Sequence, residues 1–531
     1  MGGLVAVKRY VRGLWSDRSY RIAVAVFGLL AVSLQYFGGA YQAEYNSHPD
    51  EAAHFVSSLL VRDYLAEFPW SSPVPWALDY YLHYPKVAIG HWPPGYYAAQ
   101  GAWWLVFPPG RESAMVLNLL MSGGVMTLFW VLARRLGLPR LLIGGAGVVL
   151  LVLPVVQEAM SQVMAELPSL LAATFFLWSL TRLQENPGRQ SLMVAWLALF
   201  AAFAVKQTSV GLAAAPVLAL AISGSWRRQP RGAMFLWPAV VGVVVGLLLY
   251  WQYSGSILQM LRWAGATPLT KMGWNILQLR DLVGDGILGL AAVGLLTVWW
   301  RREPVVVASL AIVVSFVVCS YYVRAFRETR HWIALTPPLI LLALAGYRWL
   351  SERSRWAPAA LMAVVVWMPH AFYRQTPGGY GALAAQIRQP ARMLVSASTG
   401  WEEGPWIAVV ALREARPSSV VVRATKLLAY ADWNGTRYRA KVKTAEDVER
   451  SLDGAGIDLV ILHDDYTVKD WMFHHQLLKS ALAESASWRR CGEVAGNLAA
   501  YCRQLPPRYP RVPLQIELDR MGVGSVNETA P

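Results

Sequence analysis

The chain has 531 residues, 55% hydrophobic and only 15% charged, where a soluble domain carries about 25% charged residues. The shortfall lies in apolar runs of roughly 15–20 residues, long enough to cross a hydrocarbon core of ~30 Å, so the composition excludes an ordinary soluble protein. A net charge of +15 would suit nucleic acid on a soluble chain, but here Lys and Arg fall between the apolar runs, the footprint of membrane orientation, and no nucleic-acid partner is expected.

In chain order, Lys8, Arg9, Arg12, Arg18 and Arg21 precede a first run at 22–37. No small-residue cleavage site follows it, so it is expected to remain as a span. Further runs lie at about 115–133, 141–156, 163–180, 191–205, 208–223, 233–251, 286–300, 304–322, 332–347 and 357–369. Lipid leaves backbone groups no partners outside their own segment, so each run is predicted to be a helix, about eleven in all. Basic residues follow alternate runs: Arg134, Arg135 and Arg140; Arg182 and Arg189; Arg227, Arg228 and Arg231; Arg301 and Arg302; Arg348, Arg353 and Arg355. The positive-inside rule places these loops and the N-terminus in the cytoplasm, and the chain beyond residue 370 outside a plasma (inner) membrane.

Two external loops, 38–114 and 252–285, are too long to be simple turns. The first contains HWPPGYYAAQGAWWLVF, read as an interfacial amphipathic helix; the second sets Arg262, Lys271 and Arg280 among Trp and Leu, again an interfacial pattern. From about residue 385 the character changes. RMLVSAS, SSVVVRAT and IDLVILHDD read as strands, and PWIAVVALREA, TAEDVERSLDGAG and DWMFHHQLLKSALAES as helices, predicting a small α/β unit with a parallel sheet. The expected division is a multispanning unit over 1–375, an extracytoplasmic α/β unit over 385–505 and an irregular tail over 506–531. The α/β unit shows no phosphate-binding Gly-rich loop and no catalytic constellation, which suggests a role in shaping acceptor access. Cys491 and Cys502 either pair across a hairpin or stand as two free thiols.

The chemistry-bearing residues collect at the outer face. Asp50 and Glu51 open a segment just outside the first span, where they either complement a helix dipole or serve as general bases. In a helix Glu51 points ~100° away from Asp50, so the two cannot play the same part. Glu158 and Glu166 stand at a membrane boundary, where a carboxylate needs water, a partner or a substrate. Lys206, Arg324, Arg327 and Arg330 break the positive-inside pattern and suit a phosphate, with Glu328 among them to hold one Arg. His48, His54, His83 and His91 match no zinc spacing, so no metal site or cofactor is expected, although Asp50, Glu51 and a second-loop Glu together have the chemistry to hold a divalent ion.

Asp50-Glu51, HWPPGYYAAQGAWWLVFP (91–108), RESAMVLNLLMSGG…VLARRLG (111–137), MAELPSLL (164–171), AVKQTSVGL (204–212) and RHWIALTPPLILLALAG (330–346) occur in that order. Over residues 20–370 the chain thus resembles the multispanning GT-C glycosyltransferases, in particular their protein O-mannosyltransferase (glycosyltransferase family 39), aminoarabinose transferase and RgtA/B/C/D-like branches. The resemblance implies a polytopic α-helical fold and transfer of a sugar from a polyprenyl-phosphate donor to a hydroxyl of a glycan, lipid or protein, with inversion. It puts Asp50 on the catalytic base, and Lys206 with the Arg324 to Arg330 cluster near the donor phosphate; Glu166 stands where many members carry Asp. A transporter or flippase of lipid-linked glycans is the alternative. It would predict charges deep inside several spans and internal repeats, neither of which the sequence shows.

Overall fold

A computed structural model describes residues 16–68, 72–88, 90–224, 242, 267–322, 328–387, 391–414, 416–431, 438–518 and 525–528. Helix α1 (Arg18–Phe37) begins the bundle, and the long 38–114 loop folds into α2 (Glu51–Glu67), α3 (Pro73–His83) and α4 (Gly95–Val106). Then come α5 (Arg111–Arg134), α6 (Arg140–Val152), α7 (Pro154–Ser161), α8 (Glu166–Glu185), α9 (Arg189–Val205) and, after a 3-10 turn at Gln207–Leu212, α10 (Ala215–Ser223). The last bundle helices are α11 (Pro268–Arg301), α12 (Pro304–Tyr322), α13 (Thr336–Ser351, entered through a 3-10 turn at Thr329–Leu335) and α14 (Ala357–Trp367). The chain is an integral multi-pass membrane protein.

Every apolar run expected within the described residues is helical; the run at 233–251 lies outside them. Fewer qualify as straight crossings than the eleven expected. Among the described residues five helical stretches are long and apolar enough, and α6 with α7 forms a sixth, bent by 64°. The bend falls at Pro154, whose missing N–H cannot continue the ladder. In α11 the break is Gly284, at φ 82°, so the expected second-loop helix and the span after it meet at a kink. Leu29, Leu120, Leu197 and Met362 point outward and stay exposed, which suits side chains whose solvent is lipid. Packing inside the bundle is close: a Cβ at Gly294 would lie 2.0 Å from the Leu342 carbonyl oxygen, and one at Gly346 2.0 Å from that of Leu290. Small residues thereby let α11 and α13 touch backbone to backbone.

The basic loops meet one another at one end of the bundle. Arg134 lies 2.9 Å and Arg140 3.4 Å from Asp17, Arg135 3.2 Å from Glu185, and Arg348 2.5 Å from Glu303 while also donating to the Leu136 carbonyl.

Beyond α15 (Tyr380–Ala385) the chain forms β1 (Arg392–Ala397), α16 (Glu403–Arg413), β2 (Val420–Arg423), α17 (Ala424–Leu427), β3 (Ala429–Tyr430), β4 (Arg439–Ala440), α18 (Ala445–Gly454), β5 (Leu459–His463) and α19 (Phe473–Glu484). β6 (Trp488–Val494), β7 (Leu498–Arg503), β8 (Gln515–Glu517) and β9 (Ser525–Asn527) follow. The main sheet has the order β2-β1-β5-β7-β6. It is mixed rather than parallel as expected: β1 pairs in parallel with β2 and β5, but the tight β6–β7 turn forces antiparallel pairing. Cys491 and Cys502 are disulfide-bonded across that hairpin. The 506–531 segment is not wholly irregular, since β8 and β9 pair antiparallel within it.

One apolar core joins the first external loop to the sheet. Phe55, Leu59, Tyr81 and Tyr84 share it with Met393, Val395, Trp406, Ile407 and Val410. The Glu44 carboxylate accepts from the backbone N–H of Tyr380 and of Gly381, each at 2.8 Å, and His83 Nδ1 lies 2.8 Å from the Ser419 carbonyl oxygen.

Candidate active site

Helix α7 ends at Ser161, and its last carbonyls have no further turn of helix to satisfy them. Side chains take them up. Gln35 and Asn118 donate to the Met160 carbonyl at 2.9 and 3.1 Å, and Arg111 and Gln375 to that of Ser161 at 2.7 and 2.9 Å. Arg111 then holds Glu51: its Nη1 lies 2.6 Å from Glu51 Oε1, which also accepts from the Val163 N–H at 2.9 Å, while Oε2 accepts from the Ser47 N–H at 3.3 Å. Glu51 is fully buried and both its oxygens are occupied.

Asp50 faces the other way. It occupies the position before α2, yet its side chain makes no cap hydrogen bond. Its Oδ2 instead accepts from Arg330 Nη2 at 3.0 Å. Arg330 lies in the 3-10 turn that leads into α13, and its other donors reach Glu166 Oε1 at 3.2 Å and Glu328 Oε2 at 2.5 Å. Glu166 opens α8, where a carboxylate complements the helix dipole, and Lys206, in the extended link after α9, donates to the same Oε1. Asp50, Glu166, Lys206 and Arg330 are thus brought together. Glu51 belongs to the neighbouring Arg111 network, and Arg324 and Arg327 lie outside the described residues. The divergence of Asp50 and Glu51 separates the carboxylates that a divalent ion would share. Among the described residues, no group of three His, Cys, Asp or Glu side chains is arranged to hold a metal.

The cluster excludes most water and is not saturated. Glu166 Oε2 and His331 Nδ1 are buried there without a hydrogen-bond partner, so both keep hydrogen-bonding capacity that no protein group uses. Burial by itself would raise the Asp50 carboxyl, but the Arg330 guanidinium overcomes this and holds it below the usual carboxylate range, so Asp50 is ionised. His54, one turn along α2, is a residue sequence reasoning set aside as an isolated loop histidine. Its ring stacks on Trp92 with centroids 4.2 Å apart, its Nδ1 lies 2.9 Å from the Tyr97 hydroxyl, and burial pulls it down to about 3, leaving it neutral. The signal for it was the four-residue spacing from Asp50, which puts both on one helix face. Arg111, the first residue of a span, has no sequence feature that tells it from an ordinary flanking charge.

No protein-family model matches the sequence, and a search of curated proteins gives no match. Among solved structures, the chain is similar to ArnT from Cupriavidus metallidurans bound to undecaprenyl phosphate, at 12% identity and a TM-score of 0.56, over 90% of this chain and 97% of that one. The chain shares its overall fold with that ArnT. The apo state of the same ArnT matches at 13% identity and a TM-score of 0.56, again over 90% and 97%. An oligosaccharyltransferase from Archaeoglobus fulgidus, in complex with zinc and sulfate, matches at 12% identity over 91% of this chain and 73% of that one, with a TM-score of 0.48, too distant to argue from. As expected from the sequence, a helical membrane bundle is joined to a C-terminal α/β unit, but the sheet of that unit is mixed rather than parallel.

Proposed function

We propose that this protein transfers a sugar from a polyprenyl-phosphate donor to an acceptor hydroxyl at the extracytoplasmic face, with inversion at the anomeric carbon. The observation that carries this reading is the partly unsatisfied Asp50–Arg330–Glu166–Lys206 cluster on a GT-C fold, whose solved neighbour binds undecaprenyl phosphate. The acceptor oxygen attacks the anomeric carbon, its proton passes to Asp50, and the sugar–phosphate bond breaks with the electron pair leaving on phosphate. Arg330 and Lys206 face the charge that builds on that phosphate, with Arg324 and Arg327 proposed as further contacts. Glu166 holds Lys206 and Arg330 in place, and Glu51, locked onto Arg111, fixes the turn that carries Asp50. Once the phosphate draws Arg330 toward itself, Asp50 loses the charge that depresses its basicity, so donor binding prepares the base.

The test is binding of undecaprenyl phosphate to the detergent-solubilised protein, followed by native mass spectrometry. A one-to-one complex that Arg330→Gln weakens by about 10–100-fold is expected, the loss of a charge-assisted hydrogen bond of ~1.5–3 kcal/mol. Equal binding by both proteins would defeat the assignment of Arg330 to the donor phosphate.

A further inference from the structure

The helix that carries Asp50 is held from two sides. On one side α4 approaches so closely that a Cβ at Gly101 would lie 3.1 Å from the Arg62 backbone nitrogen. On the other side lies α16 of the C-terminal unit, whose Trp406, Ile407 and Val410 share an apolar core with Ala52, Phe55 and Leu59 of α2. At the head of this contact stands Gly404. A Cβ built there would meet the Ala52 Cβ at 3.0 Å and the Lys86 Cε at 2.9 Å. The lysine is a flexible side chain and can give way. Ala52 cannot: it is 1% exposed, and its methyl is fixed to the backbone of the first turn of α2.

That turn is where small displacements matter. Ala52 follows Glu51, which sits 2.6 Å from Arg111, and Asp50, which sits 3.0 Å from Arg330. Asp50 makes no cap hydrogen bond of its own and bonds Arg330 instead, so its reach to that guanidinium depends on the packing of the turn behind it. Gly404 is anchored as well: the preceding Glu403 is fully buried, 2.7 Å from Arg423 Nε and 2.9 Å from the Thr425 N–H, so α16 cannot slide to make room.

We infer that Gly404 is a positioning residue: its lack of a side chain lets α16 of the C-terminal unit seat on Ala52 and set where the Asp50–Glu51 turn lies. The C-terminal unit is then part of the framework of the active site, acting through contact with α2. The inference takes from the proposed function only that Asp50 is the base. Its test reads packing alone, so a failure here is separate from a failure of that reading.

The experiment is hydrogen–deuterium exchange on the full chain in detergent, comparing Gly404→Ala, Ala52→Gly and the double variant. In Gly404→Ala, exchange over residues 50–56 should rise by about tenfold or more, while amides of β7 stay as in the parent. Adding Ala52→Gly removes the methyl that clashes and should restore the parent pattern, a coupling that general destabilisation cannot produce, since Ala52→Gly alone weakens the helix. Unchanged exchange at 50–56 in Gly404→Ala overturns the inference, and so does a rise that Ala52→Gly fails to reverse. Should Gly404→Ala not fold, the double variant must fold; if it does not, the inference is wrong.

Discussion

Arg330 Nη2 lies 3.0 Å from Asp50 Oδ2, joining residues 280 apart in sequence, and its Nη1 reaches Glu166 at 3.2 Å. The arginine is only 10% exposed, so its field acts where water screens little. A guanidinium shared by two carboxylates is poised to exchange one of them for a phosphate, because the fork geometry suits either anion. This arrangement sets the proposed base and the proposed phosphate contact in one circuit, and the predictions test its parts.

Asp50→Asn keeps the shape of the side chain and removes the proton acceptor. Turnover should fall by about 10²–10⁴-fold while undecaprenyl phosphate binding stays nearly intact. Asp50→Glu should recover little, since a shift of ~1 Å in a reacting group can cost ~10²-fold. Helix capping does not offer a rival account, as the Asp50 side chain caps nothing. An active, well-folded Asp50→Asn protein would move the base elsewhere.

The pH dependence follows from the same pair. Arg330 holds the folded-state Asp50 below the usual carboxylate range. Its contribution to stability is therefore fully present above the unfolded value and lost as pH falls through the lower folded value. Activity needs the ionised form, so the acid limb of the parent's kcat/KM profile, which reports the free enzyme, should lie below the usual carboxylate range. Arg330→Gln leaves burial as the dominant influence and should move that limb toward neutral pH. An acid limb that stays in place would show that Arg330 does not set the Asp50 equilibrium.

Glu51→Gln should behave as a lesion of stability. Glu51 is fully buried and Arg111 is 5% exposed, so the change strands a buried guanidinium. Breaking a buried pair in this way costs about 3–5 kcal/mol. A clear drop in Tm is expected, together with faster proteolysis of the 38–114 loop. If Tm holds and turnover alone collapses, Glu51 takes part in the chemistry.

How much of this was legible in the sequence differs from residue to residue. The spans were plain from uninterrupted apolar runs, and Asp50 and Arg330 stood out because charge at an outer membrane boundary needs a reason. That they touch was not legible, for 280 residues separate them and no local pattern encodes the contact. Nor could adjacency tell Asp50 from Glu51. Only the fold shows that one side chain turns to Arg330 and the other to Arg111. The bend at Pro154 was hidden inside an apolar run, and the side chains that satisfy the last carbonyls of α7, Gln35, Asn118 and Gln375, come from three distant segments. In the C-terminal unit the strands and helices were readable, but not the direction of β7, which depends on a tight turn rather than on periodicity.

Topology is testable independently of chemistry. The Arg-rich loops collect at one end of the bundle, and the Cys491–Cys502 disulfide suits an oxidising compartment for the C-terminal unit. Val512 is 55% exposed there, so a Val512→Cys protein should react with an impermeant maleimide applied to intact cells or, in a two-membrane cell, to spheroplasts. The parent gives the baseline, because Cys491 and Cys502 are paired and Cys319 lies half-buried in α12. Protection of residue 512 until the membrane is permeabilised would reverse the orientation.

Finally, a chain ending near residue 375 should insert in the membrane and still lose the active site. From the sequence alone the C-terminal unit reads as an accessory that shapes acceptor access, whose removal would spare insertion and cost acceptor selectivity or rate. The structure argues otherwise, because Phe55, Leu59, Tyr81 and Tyr84 are buried in a core to which Trp406, Ile407 and Val410 also belong. Uncovering large apolar side chains costs about 1.5–3 kcal/mol each, so these four cost about 6–12 kcal/mol, comparable with the roughly 5–15 kcal/mol that holds a folded unit together. The spans bury most of their inward faces in a separate core within the bundle, so insertion should survive. The 38–114 loop should become sensitive to protease from the outer side, and Asp50 should lose its fixed place beside Arg330. Binding of undecaprenyl phosphate should fall with it, by more than the 10–100-fold expected for one lost arginine. A truncated chain whose first loop resists protease as the full chain does would show that the loop folds alone, and the C-terminal unit would return to the part of an accessory.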